Sequence, residues 1–407
     1  MNNRLSLFGL TRSGLILLSV VLIAGIFFRV WPSTGFHDIG HDERVYSTYV
    51  SFFQKAGIWH YGKVVREYSQ WQGSQTNAFV PATRIGFLWP ASMVATIARV
   101  EPVAALHCIS LVFSILLLLV TPIISYRLRA GPEHLQMLTA LMAVAPLQIH
   151  LAQRSLVDGY FAFWTILCAW FLWESLQNPG KRIWLVAYGA SLFVLVLTKE
   201  NAAFVFIALV GVLIVSTLLK FNRANSALVL VTMLAPALAV TVLAVFVGGI
   251  DKWIAFYRMY VTKSELLAYP VRFQDGAWYR YLVDFMLLSP CIMILAIGRV
   301  FQLDAKSRPE IFWSIFLAFS FVAMSSVRYG MSLRFAAYWD LPLRWLAASQ
   351  VLCLARRFPR INPVFIAAVV VFILMVLDLF QYWRYFMNGA IYDPVTSELL
   401  HASKLFK

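Results

Sequence analysis

Five groups of ionisable residues stand out from an otherwise apolar sequence. The densest is FHDIGHDERVYSTY, residues 36–49, where His37, Asp38, His41, Asp42, Glu43 and Arg44 fall within eight consecutive positions. A carboxylate can take the proton of a hydroxyl nucleophile, worth roughly 10²–10⁴-fold in rate. His41, Asp42 and Glu43 are also residue types that hold a divalent cation such as Mg or Mn. A solvated loop is the plainer reading of the same cluster. The second group is Gln153 to Asp158, with Arg154 and Asp158 four positions apart behind Ala145-Pro146. The third is Lys199-Glu200, set between two apolar runs. The fourth gathers Arg258, Lys263, Glu265, Arg272, Asp275 and Arg280. The fifth holds Arg328-Tyr329, Arg334-Phe335, Asp340 and Pro342. Cations fixed in a dry cleft stabilise a phosphate on which charge is growing, and arginine can do so bidentately. Each group also has an ordinary alternative, a turn open to water or a long side chain reaching lipid headgroups.

Whatever positions these residues is built mostly of membrane-spanning helices. Only 13% of the 407 residues are charged and 61% are hydrophobic, with a mean hydropathy of +0.74, whereas soluble domains carry about 25% charge. The formal charge of +15 does not imply nucleic acid, because no soluble basic segment carries it. Lys and Arg sit instead at the ends of apolar runs. Cys108, Cys168, Cys291 and Cys353 all lie within such runs and read as small buried hydrophobes rather than disulfides.

At about 20 residues per span, the candidates are 13–31, 102–125, 134–152, 157–176, 183–198, 201–219, 226–248, 281–299, 311–326, 337–355 and 363–383, about eleven helices. Short connections carry Arg127 and Arg129; Lys181 and Arg182; Lys220 and Arg223; Arg299, Lys306 and Arg308; and Arg356, Arg357 and Arg360. The positive-inside rule makes these cytoplasmic, together with the N-terminus. Two long loops, about 32–101 and 249–280, then face outward, as does the tail from Arg384. All five polar groups fall on that outer face, although the topology rests on the basic residues of the other. Within the first loop, Asp42 to Gly57 predicts an amphipathic helix with Val45, Tyr49, Phe52 and Phe53 near one face. Ile85 to Val100, short and interrupted by Pro90, predicts a helix lying in the interface. Glu174 and Asp378, each alone near a span end, read as structural, and His107 and His150 as packing or interfacial residues.

In this order the motifs resemble those of GT-C class membrane glycosyltransferases, within which the likeness is to the protein O-mannosyltransferases and lipid A aminoarabinose transferases (families 39 and 83). The Asp-Glu pair and tyrosine that open the family's first external loop match Asp42, Glu43 and Tyr46. Val80 to Arg84 occupies the place of its proline-rich or basic patch, with Pro81 where a double proline is usual. Pro146, Arg154 and Asp158 match its Arg-x-x-x-Asp at a span start. Lys199-Glu200 matches its later lysine-acid pair. Arg334-Phe335 and Pro342 resemble its late arginine-aromatic pair and proline, with Tyr338 where a second proline is common.

The resemblance spans nearly the whole chain and implies a single all-α polytopic membrane domain over residues 1–407, without a separate soluble C-terminal domain. It implies a hexosyl- or pentosyltransferase of a bacterial inner membrane. A sugar would pass from a polyprenyl-phosphate donor to a protein, lipid or glycan acceptor on the external face. Asp42 is then the candidate base, with Glu43 and Asp158 beside it. Arg84, Arg154, Lys199, Lys263, Arg272 and Arg334 are candidates for the donor phosphate, and Tyr46, Glu200 and Arg328 for substrate. No cofactor is required; a divalent cation on His41, Asp42 and Glu43 is left open. The alternative is a transporter or flippase for a lipid-linked sugar or anion. That class favours internal repeats and polar residues at the bilayer midplane.

Overall fold

The structure, a computed structural model, describes residues 7–32, 39–76, 80–219, 224–358 and 360–404. His37, Asp38, Lys220 and Arg223 lie outside the described residues. Those residues form helices and no strand. After α1 (Arg12–Val30), the first long loop folds into α2 (His41–Ala56), α3 (Tyr61–Ser74) and α4 (Ile85–Ala98). Then follow α5 (Pro102–Arg127), α6 (Pro132–Ala143), α7 (Pro146–Ala152), α8 (Val157–Gln177), α9 (Arg182–Thr198), α10 (Ala202–Leu218) and α11 (Ser226–Val247). The second long loop holds α12 (Ile250–Lys263) and α13 (Ala268–Phe273). The chain ends with α14 (Arg280–Leu288), α15 (Pro290–Val300), α16 (Arg308–Ser325), α17 (Asp340–Ala355), α18 (Pro363–Tyr382) and, in the tail, α19 (Thr396–Ser403).

Every apolar segment expected to span is helical, but two are broken where proline removes a backbone donor. Residues 134–152 split at Ala145-Pro146 into α6 and α7, bent by 54°. Residues 281–299 split at Ser289-Pro290 into α14 and α15. By length and composition, four helices among the described residues can cross a bilayer, five if the bent pair counts as one span. Helix α4 has 14 residues, about 21 Å at 1.5 Å per residue, short of the hydrocarbon thickness of about 30 Å.

Burial is arranged as a lipid solvent requires. Helices α1, α11 and α18 expose large apolar side chains such as Ile23, Leu238 and Phe372, an outer surface that water would not tolerate at this extent. Helices α7, α8 and α17 form the centre, with every residue of α7 buried. Charges at that centre are matched. Arg29 donates to Ser114 and to the carbonyls of Gly25, Met142 and Ala143, and Arg344 pairs with Asp340 and Asp378. Glu174 binds Arg127, so both carboxylates read as structural, Glu174 and Asp378, do sit in structural pairs. His107 and His150 bond backbone carbonyls, at Ala152 and Tyr392. Of the cysteines only Cys168 is buried, and Cys108 is exposed.

The helices separate two sets of charges by end. At one end lie Arg12, Arg127, Arg129, Arg182, Arg299, Arg308, Arg356 and Arg357. At the other lie the start of α8, the α9–α10 and α16–α17 connections, and both long loops. These loops are bonded to one another. Ala268 N–H donates to Thr76 O at 3.1 Å, Met331 N–H to Gln274 O at 3.0 Å, and Leu333 N–H to the tail's Pro394 O at 3.3 Å.

Candidate active site

Helix α2 starts where Glu43, at its third position, reaches back to accept from Gly40 N–H at 2.7 Å, the acidic half of a capping box. The second oxygen of Glu43 accepts from Ser155 N–H at 2.6 Å, and Arg154 Nη1 stands 3.6 Å from the first. Glu43 therefore ties α2 to the α7–α8 turn. A Cβ at Gly40 would collide with the ring of Tyr392, and that ring lies under the Arg154 guanidinium at 4.9 Å. Burial pushes the Glu43 carboxyl above its usual range, against those hydrogen bonds and the Arg154 charge. Glu43 and Arg154 are thus engaged with each other and with the backbone, a different use from the acceptor and donor contacts expected of them.

Asp42, one residue earlier, points about 100° away around the helix and meets Arg334. Arg334 Nη2 donates to Asp42 Oδ2 at 2.6 Å. Its Nε lies 3.3 Å from Asp393 Oδ1 and 4.0 Å from Asp158 Oδ2. The side chain is 7% exposed, and Nη1 has no hydrogen-bond partner among the described residues. Arg334 sits on a 3₁₀ turn, Leu333–Trp339, that leads into α17, and Phe335 flanks it at 5.1 Å.

Asp158 opens α8, where the helix N-terminus favours an anion. It accepts from Lys199 Nζ, which also faces the Phe335 ring at 3.8 Å. Burial depresses the Lys199 ammonium to about 8; Asp158 opposes the shift and Arg84 adds to it. Next to Lys199, Glu200 receives the fork of Arg84, Nε at 3.2 Å and Nη2 closer. Arg84 also reaches Tyr46 Oη, and Tyr260 Oη donates to Glu200 at 3.2 Å.

Asp393 and its partners went unseen in the sequence. The tail returns Asp393 to the cluster, where Tyr269 donates at 2.8 Å, Gln274 at 3.0 Å, and Ser332 also donates. Burial works to raise this carboxyl, but Arg334 and the three donors outweigh it and hold it below its usual range. The one signal available was an acid beside Pro394 on the outer side of the last span.

Three expected residues stand apart. Lys263 donates to the carbonyls of Gln72 and Gly73, joining the two long loops. Arg272 is exposed beside its neighbour Phe273. Arg328 is exposed and pairs with Asp275 at 3.2 Å. His41 is exposed on α2, Glu43 is consumed by the cap, and no three metal-ligating side chains gather among the described residues. We therefore derive no step through a metal. In the cluster itself, four cations (Arg84, Arg154, Lys199, Arg334) interleave with five carboxylates (Asp42, Glu43, Asp158, Glu200, Asp393). The cluster is alternating, with one formal negative charge in excess.

No protein-family model matches the sequence, and no curated protein matches it. Solved structures do. The oligosaccharyltransferase AglB from Archaeoglobus fulgidus, in complex with an inhibitory peptide and a dolichol-phosphate, aligns with 91% of this chain at TM-score 0.56 and 13% identity. ArnT from Cupriavidus metallidurans, bound to undecaprenyl phosphate, aligns with 97% of it at TM-score 0.53 and 15% identity. This chain has the GT-C fold. It spans 55% of the AglB chain and 75% of the ArnT chain.

Proposed function

We propose that this GT-C protein is a glycosyltransferase that moves a sugar from a polyprenyl-phosphate donor to an acceptor hydroxyl. The reaction takes place where the two long loops and the tail meet the membrane. The observation that carries this reading is the Asp42–Arg334 pair, placed beside Asp158, Lys199 and Asp393 at one end of the bundle. AglB and ArnT, solved with dolichol-phosphate and undecaprenyl phosphate, make a lipid phosphate carrier the natural donor.

In the proposed step the acceptor oxygen forms a bond to the anomeric carbon while the bond from that carbon to the phosphate oxygen breaks. The acceptor proton passes to the Asp42 carboxylate, and the lipid phosphate departs with the electron pair. Arg334 couples the two ends of this transfer. As Asp42 takes the proton it stops competing for the guanidinium, whose charge and spare Nη1 donor then serve the departing phosphate. Asp158, itself paired with Lys199, holds Arg334 from the α8 side, and Asp393 holds it from the tail. Glu43 and Arg154 fix α2, while Arg84, Glu200 and Tyr46 brace the first loop against the α9–α10 turn. To Arg272, exposed and without a carboxylate partner among the described residues, we assign first contact with the donor phosphate. We assign residues 1–407 to one membrane domain, with the site external and the N-terminus on the opposite, cytoplasmic side of a bacterial inner membrane.

The test incubates the full chain, reconstituted in nanodiscs, with a panel of radiolabelled polyprenyl-phosphate sugars and a membrane extract as acceptor. The proposal expects free polyprenyl phosphate in step with label entering the acceptor fraction. If the labelled lipid crosses the bilayer of liposomes with its sugar still attached, the protein is a transporter and the proposal falls.

A further inference from the structure

At the end of the bundle away from the site, the α5–α6 turn, the α15–α16 turn and the end of α17 border a half-open cavity of about 530 Å³. It lies about 24 Å from the start of α17, the length of its 16 residues. Five cations line it, Arg129, Arg299, Lys306, Arg356 and Arg357, against a single carboxylate, Glu310. That carboxylate is already taken by Arg299 at 2.6 Å. Among the described residues the side chains of Arg129, Lys306 and Arg356 form no ion pair, and the nearby Asp304 carboxylate accepts from the Lys306 backbone N–H at 3.1 Å. Arg129 also stands in the left-handed region at φ 57, at a helix-ending turn where glycine is the usual occupant. The floor is rigid. Trp345 is buried, and His134 beneath it is bonded through both ring nitrogens, to Ser125 Oγ at 3.1 Å and Trp345 O at 3.2 Å.

We propose that this cavity binds the phosphate headgroup of an anionic membrane lipid, drawn from the leaflet opposite the active site. The excess of cations calls for an anion. The rim selects a lipid over a free ion, because Phe301 and Phe358, next in sequence to lining segments, are 85% and 57% exposed and supply an apolar border for acyl chains. Basic residues at a span end ordinarily attract headgroups diffusely. Convergence of three connections on one half-open cleft is what makes this a site. Lys181 and Arg182, at the same end of the bundle but outside the cavity lining, provide the internal control. The proposal holds whether or not the chain transfers sugars.

The experiment is native mass spectrometry of the full chain in mild detergent, titrated with phosphatidylglycerol or phosphatidylcholine. We expect saturable retention of phosphatidylglycerol and not of phosphatidylcholine. At about fivefold per cation near a membrane surface, Lys306→Gln alone should weaken retention about fivefold. The Arg129→Gln, Lys306→Gln, Arg356→Gln triple variant should weaken it about a hundredfold. The Lys181→Gln, Arg182→Gln pair should bind as the parent does. Equal loss in that pair, or equal retention of the two lipids, would overturn the site. Displacement of phosphatidylglycerol by millimolar inorganic phosphate would overturn the lipid assignment.

Discussion

Replacing Arg334 by methionine removes the one side chain among the described residues that touches three carboxylates, while keeping much of its volume. The consequences can be worked carboxylate by carboxylate. Asp158 keeps Lys199, and Asp393 keeps Tyr269, Gln274 and Ser332. Asp42 loses its ion-pair partner. Breaking a buried pair costs about 3–5 kcal/mol when the remaining charge is stranded. Asp42 is 15% exposed and its two companions are still held, so the stability loss should fall near the lower end, about 3 kcal/mol. The kinetic loss should be comparable or larger, because a disoriented base forfeits about 10²–10⁴-fold and the departing phosphate loses a fixed donor. Arg334→Lys keeps the charge but not the fork and should fall between the methionine variant and the parent. Transfer is measured in nanodiscs with a labelled donor, after thermal unfolding has confirmed a folded protein. If Asp42 and Arg334 act as one unit, the double variant Asp42→Asn, Arg334→Met should be little worse than either single variant. Strictly additive losses, or a folded methionine variant working within about threefold of the parent, would refute the coupling.

Lys199 predicts a pH limb. Its pKa is depressed to about 8 from the ordinary 10.5, so the charge facing Asp158 is lost as pH rises through about 8. Transfer should decline there, and Lys199→Arg should move that limb upward in a pH–rate profile. The folded state releases this proton earlier than the unfolded chain does. This group's contribution to stability therefore increases between about 8 and 10.5, so falling transfer over rising thermal stability is the expected signature. Glu43→Gln keeps an acceptor for Ser155 N–H and should preserve most transfer, while Glu43→Ala leaves buried N–H groups unmet and should cost about 1–3 kcal/mol by thermal unfolding. Arg84→Met strands Glu200 and should destabilise the fold by about 3–5 kcal/mol; adding Glu200→Met should restore part of that loss.

Local pattern made the helical segments and the amphipathic α2 legible in the sequence, because each depends on neighbours within one or two turns, whereas the two proline breaks fall inside segments read as single spans. The grouping of polar residues at one end was legible for a related reason, since the basic residues of the other end set the topology independently. The pairings were not. Asp42 and Arg334 are 292 positions apart, and nothing near either announces the other. Asp42 and Glu43 are adjacent, yet the helix turns one to Arg334 and the other to a backbone cap. Sequence could not separate them before Ser155 and Arg334 were in place. Asp393 was passed over because its partners come from two separate connections, Tyr269 and Gln274 from the second long loop and Ser332 from the α16–α17 connection, that only the fold brings to the tail. Lys263 was read as a phosphate ligand because its type fits, but the carbonyls that end α3 claim it first.

The most direct test of the account is sugar transfer by Asp42→Asn, a nearly isosteric change that removes the charge and leaves α2 its cap. The account predicts a loss of at least about 10²-fold in transfer, with polyprenyl-phosphate donor still bound by the folded variant. Transfer at the parent rate by folded Asp42→Asn protein would contradict it.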